Sequence, residues 1–202
     1  MNPEQSAGTA DAVRLMEDAF GAAAEMMAAV PAGAWDAPSP CAGWTVRQVG
    51  GHLVGNLAVF ERFLREEPLA DVDAEAAAIA GADPLGDEPA KALRAVGERC
   101  AAAASAFGPL DREVPFALGP ASGLVVARVC LMETLVHGWD MAQGSGAPYR
   151  PDGAVIGAVA EFVRHAPIEE RRAAGRFGPE LAAGPDDSPF NRLLAYLGRR
   201  RP

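Results

Sequence analysis

No apolar run in this 202-residue sequence escapes interruption by charge, and none approaches the ~20 residues that span a bilayer as a helix. A membrane-spanning role is therefore excluded, and no membrane partner is expected. Residues 1–11 lack both a basic segment and a hydrophobic run, so they do not read as a secretion signal, and the expected location is cytoplasmic. Cysteine is scarce: Cys41, Cys100 and Cys130 are odd in number, far apart and show no CxxC spacing. That excludes a disulfide framework and a thiolate metal knuckle. Cys100 and Cys130 fall in apolar helical stretches and read as core, whereas Cys41 lies in a loop near Gly43 and Trp44.

Positive charge is also short, with 18 basic against 27 acidic residues and a net charge of −9. The whole deficit sits in residues 1–100, which carry 7 basic and 16 acidic groups, while residues 101–202 carry 11 of each. Such a first half repels polyanions, so nucleic acid is not an expected partner. Arg171, Arg172, Arg176, Arg199, Arg200 and Arg201 read as a solvated helix end and tail.

There is no internal repeat and no alternating strand pattern. Helical periodicity is plain instead. Apolar residues at 12, 13, 16, 19, 20, 23, 26, 27 and 30 form a stripe that ends at Pro31. A loop rich in proline and glycine follows over 31–44. Thr45 and Gln48 match a capping box, and Val46, Val49, Leu53, Leu57, Phe60 and Leu64 keep helical spacing until Pro68. Residues 88–107 and 123–143 are the third and fourth long helices, with an extended piece expected at 113–118. Shorter helices are expected at 154–165 and 189–198. Length and pattern together predict a single all-α domain over 1–202: a helical bundle with additional short C-terminal helices and at least one crossover.

Only three histidines are present, and two lie inside strongly patterned helices. His52 sits on or beside the inward stripe of the second. In the fourth, Glu133 and His137 stand one turn apart on a face flanked by Val129, Met132, Val136 and Met141. An ionised acid aimed into an apolar bundle costs several kcal/mol unless it is paired or protonated. Coordination of a divalent cation removes that cost, and two imidazoles with one carboxylate form the donor set of open metal sites. On spacing alone, a metal centre and a metal-free His–Glu hydrogen-bonded pair both fit. Asp140, three residues beyond His137, either orients that imidazole or faces solvent at the helix end. Asn56, one turn after His52, is a weaker supporting candidate. Trp44 and Trp139 read as packing residues, and His165 as a surface group at a helix end.

The stretches CAGWTVRQVGGHL (41–53) and ETLVHGWDMAQGSG (133–146) resemble the hallmark segments of DinB-like metal-binding four-helix bundles. More narrowly they resemble the N-terminal domain of mycothiol-dependent maleylpyruvate isomerases. The close of the chain, SPFNRLLAYLGRR, is similar to that of single-domain members. The resemblance implies a four-helix bundle holding a zinc-type ion through His52, Glu133 and His137. Nickel, iron and manganese also suit that donor set. It further implies a low-molecular-weight thiol such as mycothiol as cosubstrate, adding to a small electrophile. Those isomerases carry a second, C-terminal domain, so the expectation here is a thiol-dependent transferase or isomerase-like activity rather than maleylpyruvate isomerisation itself. The alternative is a non-catalytic metal-binding module, with a homodimer as a possible assembly.

Overall fold

The computed structural model describes residues 3–67, 71–114 and 120–199. Its contacts group into two compact units, Met1–Pro151 and Asp152–Pro202. The first contains α1 (Pro3–Ala28), α2 (Val46–Leu64), α3 (Val72–Gly81), α4 (Pro89–Ala106) and α5 (Gly123–Ser145). The second contains α6 (Gly153–His165), α7 (Ile168–Ala173) and α8 (Pro189–Tyr196). The fold is all-α: the one strand pair among the described residues is β1 (Glu113–Val114) with β2 (Ala121–Ser122), antiparallel and two residues long on each side. The extended piece expected at 113–118 thus begins as β1, and its remainder lies outside the described residues. No helix among them is long and apolar enough to cross a membrane.

The four long helices are α1, α2, α4 and α5. Helices α4 and α5 each pack against both α1 and α2, which places α1 and α2 at opposite corners. Every member of the predicted α2 stripe (Val46, Val49, Leu53, Leu57, Phe60 and Leu64) is buried. On α1, the stripe residues Met16, Ala19, Phe20, Ala23, Met26 and Met27 are buried as well. Burying side chains of this size stabilises the fold by roughly 1.5–3 kcal/mol for each of the larger ones, which is why contrast between faces is enough to direct packing.

Two contacts set the direction of α4. Arg47, at the start of α2, bonds Asp83 and the Gly86 carbonyl just before α4, and Glu61, near the end of α2, bonds Arg99 at 2.9 Å. Helices α2 and α4 therefore run parallel. Parallel neighbours cannot be joined by a tight turn, and α3 supplies the return path. It lies antiparallel along α2 at very close range: a Cβ on Gly55 would stand 2.7 Å from the Ala76 carbonyl oxygen.

Helices α3 and α7 are not anticipated by the sequence pattern. Half of the α3 sequence is alanine, with little contrast between faces, and α7 is only six residues long. Arg172 also departs from expectation. It is not a solvated helix-end cation: its side chain is only 10% exposed, and it donates to the carbonyls of Gly178 and Tyr196. Arg200 and Arg201 lie outside the described residues. Cys100 and Cys130 are fully buried, with their sulfurs 3.9 Å apart in the core. His165 is exposed at the end of α6, as expected.

The glycines give a paired test of this packing. At Gly21, in the middle of α1, an added Cβ meets nothing within 4 Å, so Gly21→Ala should stabilise by roughly 0.5–1 kcal/mol through helix propensity. Gly55→Ala gains the same propensity but drives a methyl into a backbone carbonyl, and should destabilise by about 1–2 kcal/mol net. Denaturant midpoints of the two variants, moving in opposite directions, would check this.

Candidate metal centre

The start of α2 is fixed by the loop before it. Thr45 Oγ1 accepts from the Gln48 backbone N–H at 3.2 Å, and Gln48 Oε1 accepts from the Thr45 N–H at 2.8 Å, completing the capping box. The next free donors, Val46 N–H and Arg47 N–H, bond to the carbonyls of Ala37 and Trp35, each at 2.9 Å. All the first-turn N–H groups thereby find partners, and the loop is tied to the helix that carries His52. The far side of the loop rests on the end of α5. A Cβ on Gly144 would lie 2.7 Å from Val46 Cγ2 and 2.8 Å from the Pro38 carbonyl oxygen, so glycine there permits the contact.

Helices α2 and α5 bring the predicted residues into one cluster. His52 Nε2 lies 3.7 Å from Glu133 Oε2, and His137 Nε2 lies 3.3 Å from the same oxygen. One ligand atom from each of the three residues falls within 4.8 Å of the others. Asp140 is fully buried, and its Oδ2 stands 3.0 Å from His137 Nδ1. The Asn56 amide nitrogen lies 2.9 Å from Glu133 Oε2 and 3.0 Å from His52 Nε2.

Two neighbours were less legible in the sequence. Cys41 comes over from the loop and donates its S–H to Asp140 Oδ2 at 3.2 Å. With His137 and Asp140 it forms a second group of closely spaced donor atoms. Trp44 is not packed into the loop as the sequence suggests. It is 39% exposed and meets His52 edge-on, with ring centroids 4.9 Å apart. Trp139 is buried. Side-chain exposure falls from 29% at His52 through 20% at Glu133 to 12% at His137 and zero at Asp140, so the cluster opens on the side of His52 and Trp44.

The electrostatics follow from one tautomer. A carboxylate only accepts, so His137 Nδ1 must carry the proton that it shares with Asp140. In a neutral imidazole that leaves Nε2 as a bare lone pair, facing the Glu133 carboxylate 3.3 Å away. Two acceptors in that position need a proton or a cation between them. In the protein alone a proton serves. Burial opposes charge on His137, but its bonds to Asp140, Cys41 and Glu133 outweigh this and raise its pKa well above the ordinary imidazole value. Burial likewise disfavours the Glu133 carboxylate, yet the His137 and His52 imidazoles beside it hold it well below the usual carboxylate range.

A divalent cation fits the same place. Donor atoms bound at about 2.1 Å to one ion stand roughly 3.0–3.5 Å apart, close to the 3.3 and 3.7 Å found here. The donor set of two imidazoles and one carboxylate matches open sites for first-row metals, and a carboxylate behind one imidazole is the usual way to fix its tautomer.

A family model described as the mycothiol maleylpyruvate isomerase N-terminal domain matches residues 16–142. The chain belongs to this family. The matched stretch begins within α1 and ends within α5, so this DinB-like domain takes in the second half of α1, all of α2 and α4, most of α5, and every member of the cluster from Cys41 to Asp140. No curated protein and no solved structure matches the chain.

A metal entering the cluster must displace the proton of His137. Because that proton is held more tightly than in a free imidazole, metal affinity should still be rising with pH above about 6.5, and should level off only once the pH passes the raised pKa. Glu133 is already ionised throughout and adds nothing to the slope. Calorimetric zinc titrations at pH 7 in buffers of different ionisation enthalpy should therefore report release of about one proton. Asp140→Asn removes the charge behind His137 and should weaken binding about tenfold or more in the same titrations.

Proposed function

We infer that the protein holds one divalent ion, zinc in the first instance, through His52, Glu133 and His137. We further infer that it uses this ion for thiol-dependent transfer or isomerisation of a small electrophile. The observation that supports the reading is the convergence of two imidazole nitrogens, one from α2 and one from α5, on a single oxygen of Glu133, in a setting where those three atoms repel unless a positive charge lies between them. The thiol is suggested by the family, whose description names mycothiol and maleylpyruvate isomerase.

When bound, such an ion supplies a Lewis acid that lowers the pKa of a thiol or water and polarises a carbonyl. The chain's own residues do the rest. Glu133 provides a negative charge that balances part of the cation. Asp140 holds His137 Nδ1 protonated, so that Nε2 is the atom directed at the centre. Cys41 donates to the same Asp140 oxygen and closes the buried side. His52 and Trp44 border the exposed side, where a thiol and an electrophile approach, and the exposed indole offers a flat apolar surface to either.

Protein purified without a metal-affinity step should carry about one equivalent of a first-row divalent metal by elemental analysis. His52→Ala and His137→Ala should each lose it. Retention in both variants would reject the centre. For the chemistry, low-molecular-weight thiols including mycothiol should react with a chromogenic electrophile faster in the presence of the protein, and a chelator should abolish the gain. Metal content without chelator-sensitive turnover would instead favour a non-catalytic metal-binding module.

A further inference from the structure

We propose that Asn56 is a fourth protein ligand of the ion, through its side-chain oxygen. The proposal rests on the metal reading above and adds to it a residue whose position identifies its role. A group that supports a ligand imidazole from behind occupies the ring nitrogen facing away from the metal, as Asp140 does at Nδ1 of His137. Asn56 is placed differently. Its amide lies at Nε2 of His52, the atom turned toward Glu133, and it reaches Oε2 of Glu133 as well. It is therefore on the same side of both residues as the ion they would share.

The distances agree with a ligand. Cis donors in an octahedral shell with bonds of about 2.1 Å stand roughly 3.0 Å apart, and tetrahedral ones about 3.4 Å. The Asn56 amide end is 3.0 Å from His52 Nε2 and 2.9 Å from Glu133 Oε2, which is ligand-to-ligand spacing from two of the three donors. Helical geometry makes this possible, because Asn56 lies one turn beyond His52 on α2 and shares its face.

The amide cannot keep its present bond to His52 once the imidazole binds a metal, since Nε2 has a single lone pair. Half a turn about the terminal torsion exchanges Nδ2 for Oδ1 at nearly the same point, and that torsion is broad and close to two-fold. The exchange turns a donor that satisfies two lone pairs into a neutral oxygen that adds a third kind of ligand. The resulting set is two imidazole nitrogens, one carboxylate oxygen and one amide oxygen, which in a five- or six-coordinate shell still leaves a position for the thiol.

Affinity alone does not separate a ligand from a neighbour, so the test uses coordination. Full-length protein is loaded with cobalt(II), whose visible spectrum reports the number and type of its ligands. The Asn56→Ala variant should bind cobalt about tenfold more weakly and with an altered visible spectrum, while Asn56→Asp should bind more tightly and keep a spectrum close to that of the unaltered protein. A crystal structure of the unaltered protein grown with zinc should place the Asn56 oxygen at bonding distance from the ion, and this readout does not depend on how the variants fold. An Asn56→Ala spectrum identical to that of the unaltered protein, or an amide outside bonding distance in the zinc-loaded crystal, overturns the proposal. If His52→Ala loses cobalt in that case, the three-ligand centre still stands. Absence of cobalt binding by the unaltered protein removes both.

Discussion

A carboxylate oxygen of Glu133 faces Nε2 of His137 across 3.3 Å inside a largely apolar bundle, and something positive has to lie between them. That requirement organises the surroundings. Asp140 fixes which nitrogen of His137 carries its proton, and this creates the facing lone pairs in the first place. His52 and Asn56 approach the same oxygen from α2, so the site is built around a carboxylate that burial disfavours. A proton satisfies the arrangement in the protein alone. A divalent ion fits the same donor atoms and would meet all of them at once.

The scaffold holds these groups by ordinary means. The loop before α2 satisfies the free N–H groups of that helix and is itself seated against α5 at Gly144, so a displacement of either helix would disturb both. Tyr149 backs the α5 turn that carries His137: it packs directly against Gly138, and its hydroxyl donates to the Thr134 carbonyl at 3.4 Å. Burial holds the Tyr149 hydroxyl in its neutral form by raising its pKa. On the opposite side of α2, the small residues of α3 allow a close helix contact that makes room for the parallel run of α2 and α4.

Much of this was legible in the chain. Helices α1, α2 and α4 could be read because their stripes contrast with polar faces, and the Thr45–Gln48 pair marks the start of α2 to the residue. Helix α5 could be read because a long, mostly apolar stretch without proline is closed by Gly144 and Gly146. Helix α3 was not legible, because a run of alanines has no face to detect, and the distance between Gly55 and the Ala76 carbonyl has no counterpart in either local sequence. Arg172 illustrates the same limit. An arginine in a run of charge looks solvated until the chain folds back to present two carbonyls to it. Trp44 shows the reverse, an aromatic that local composition assigns to packing and that the fold leaves open beside His52.

The sequence by itself determined the helical class, the inward direction of His52, Glu133 and His137, and the one-turn spacings that pair Glu133 with His137 and His52 with Asn56. Those properties follow from 3.6 residues per turn and are settled within a single helix. Which nitrogen each imidazole presents, on which side of His52 the Asn56 amide lies, and that Cys41 reaches Asp140 from a loop 99 positions away were decided only by the register of α2 against α5. Periodicity fixes the face that a helix buries. It carries no information about how far one helix slides along another, and a shift of a single turn would separate these atoms by more than any coordination bond can span.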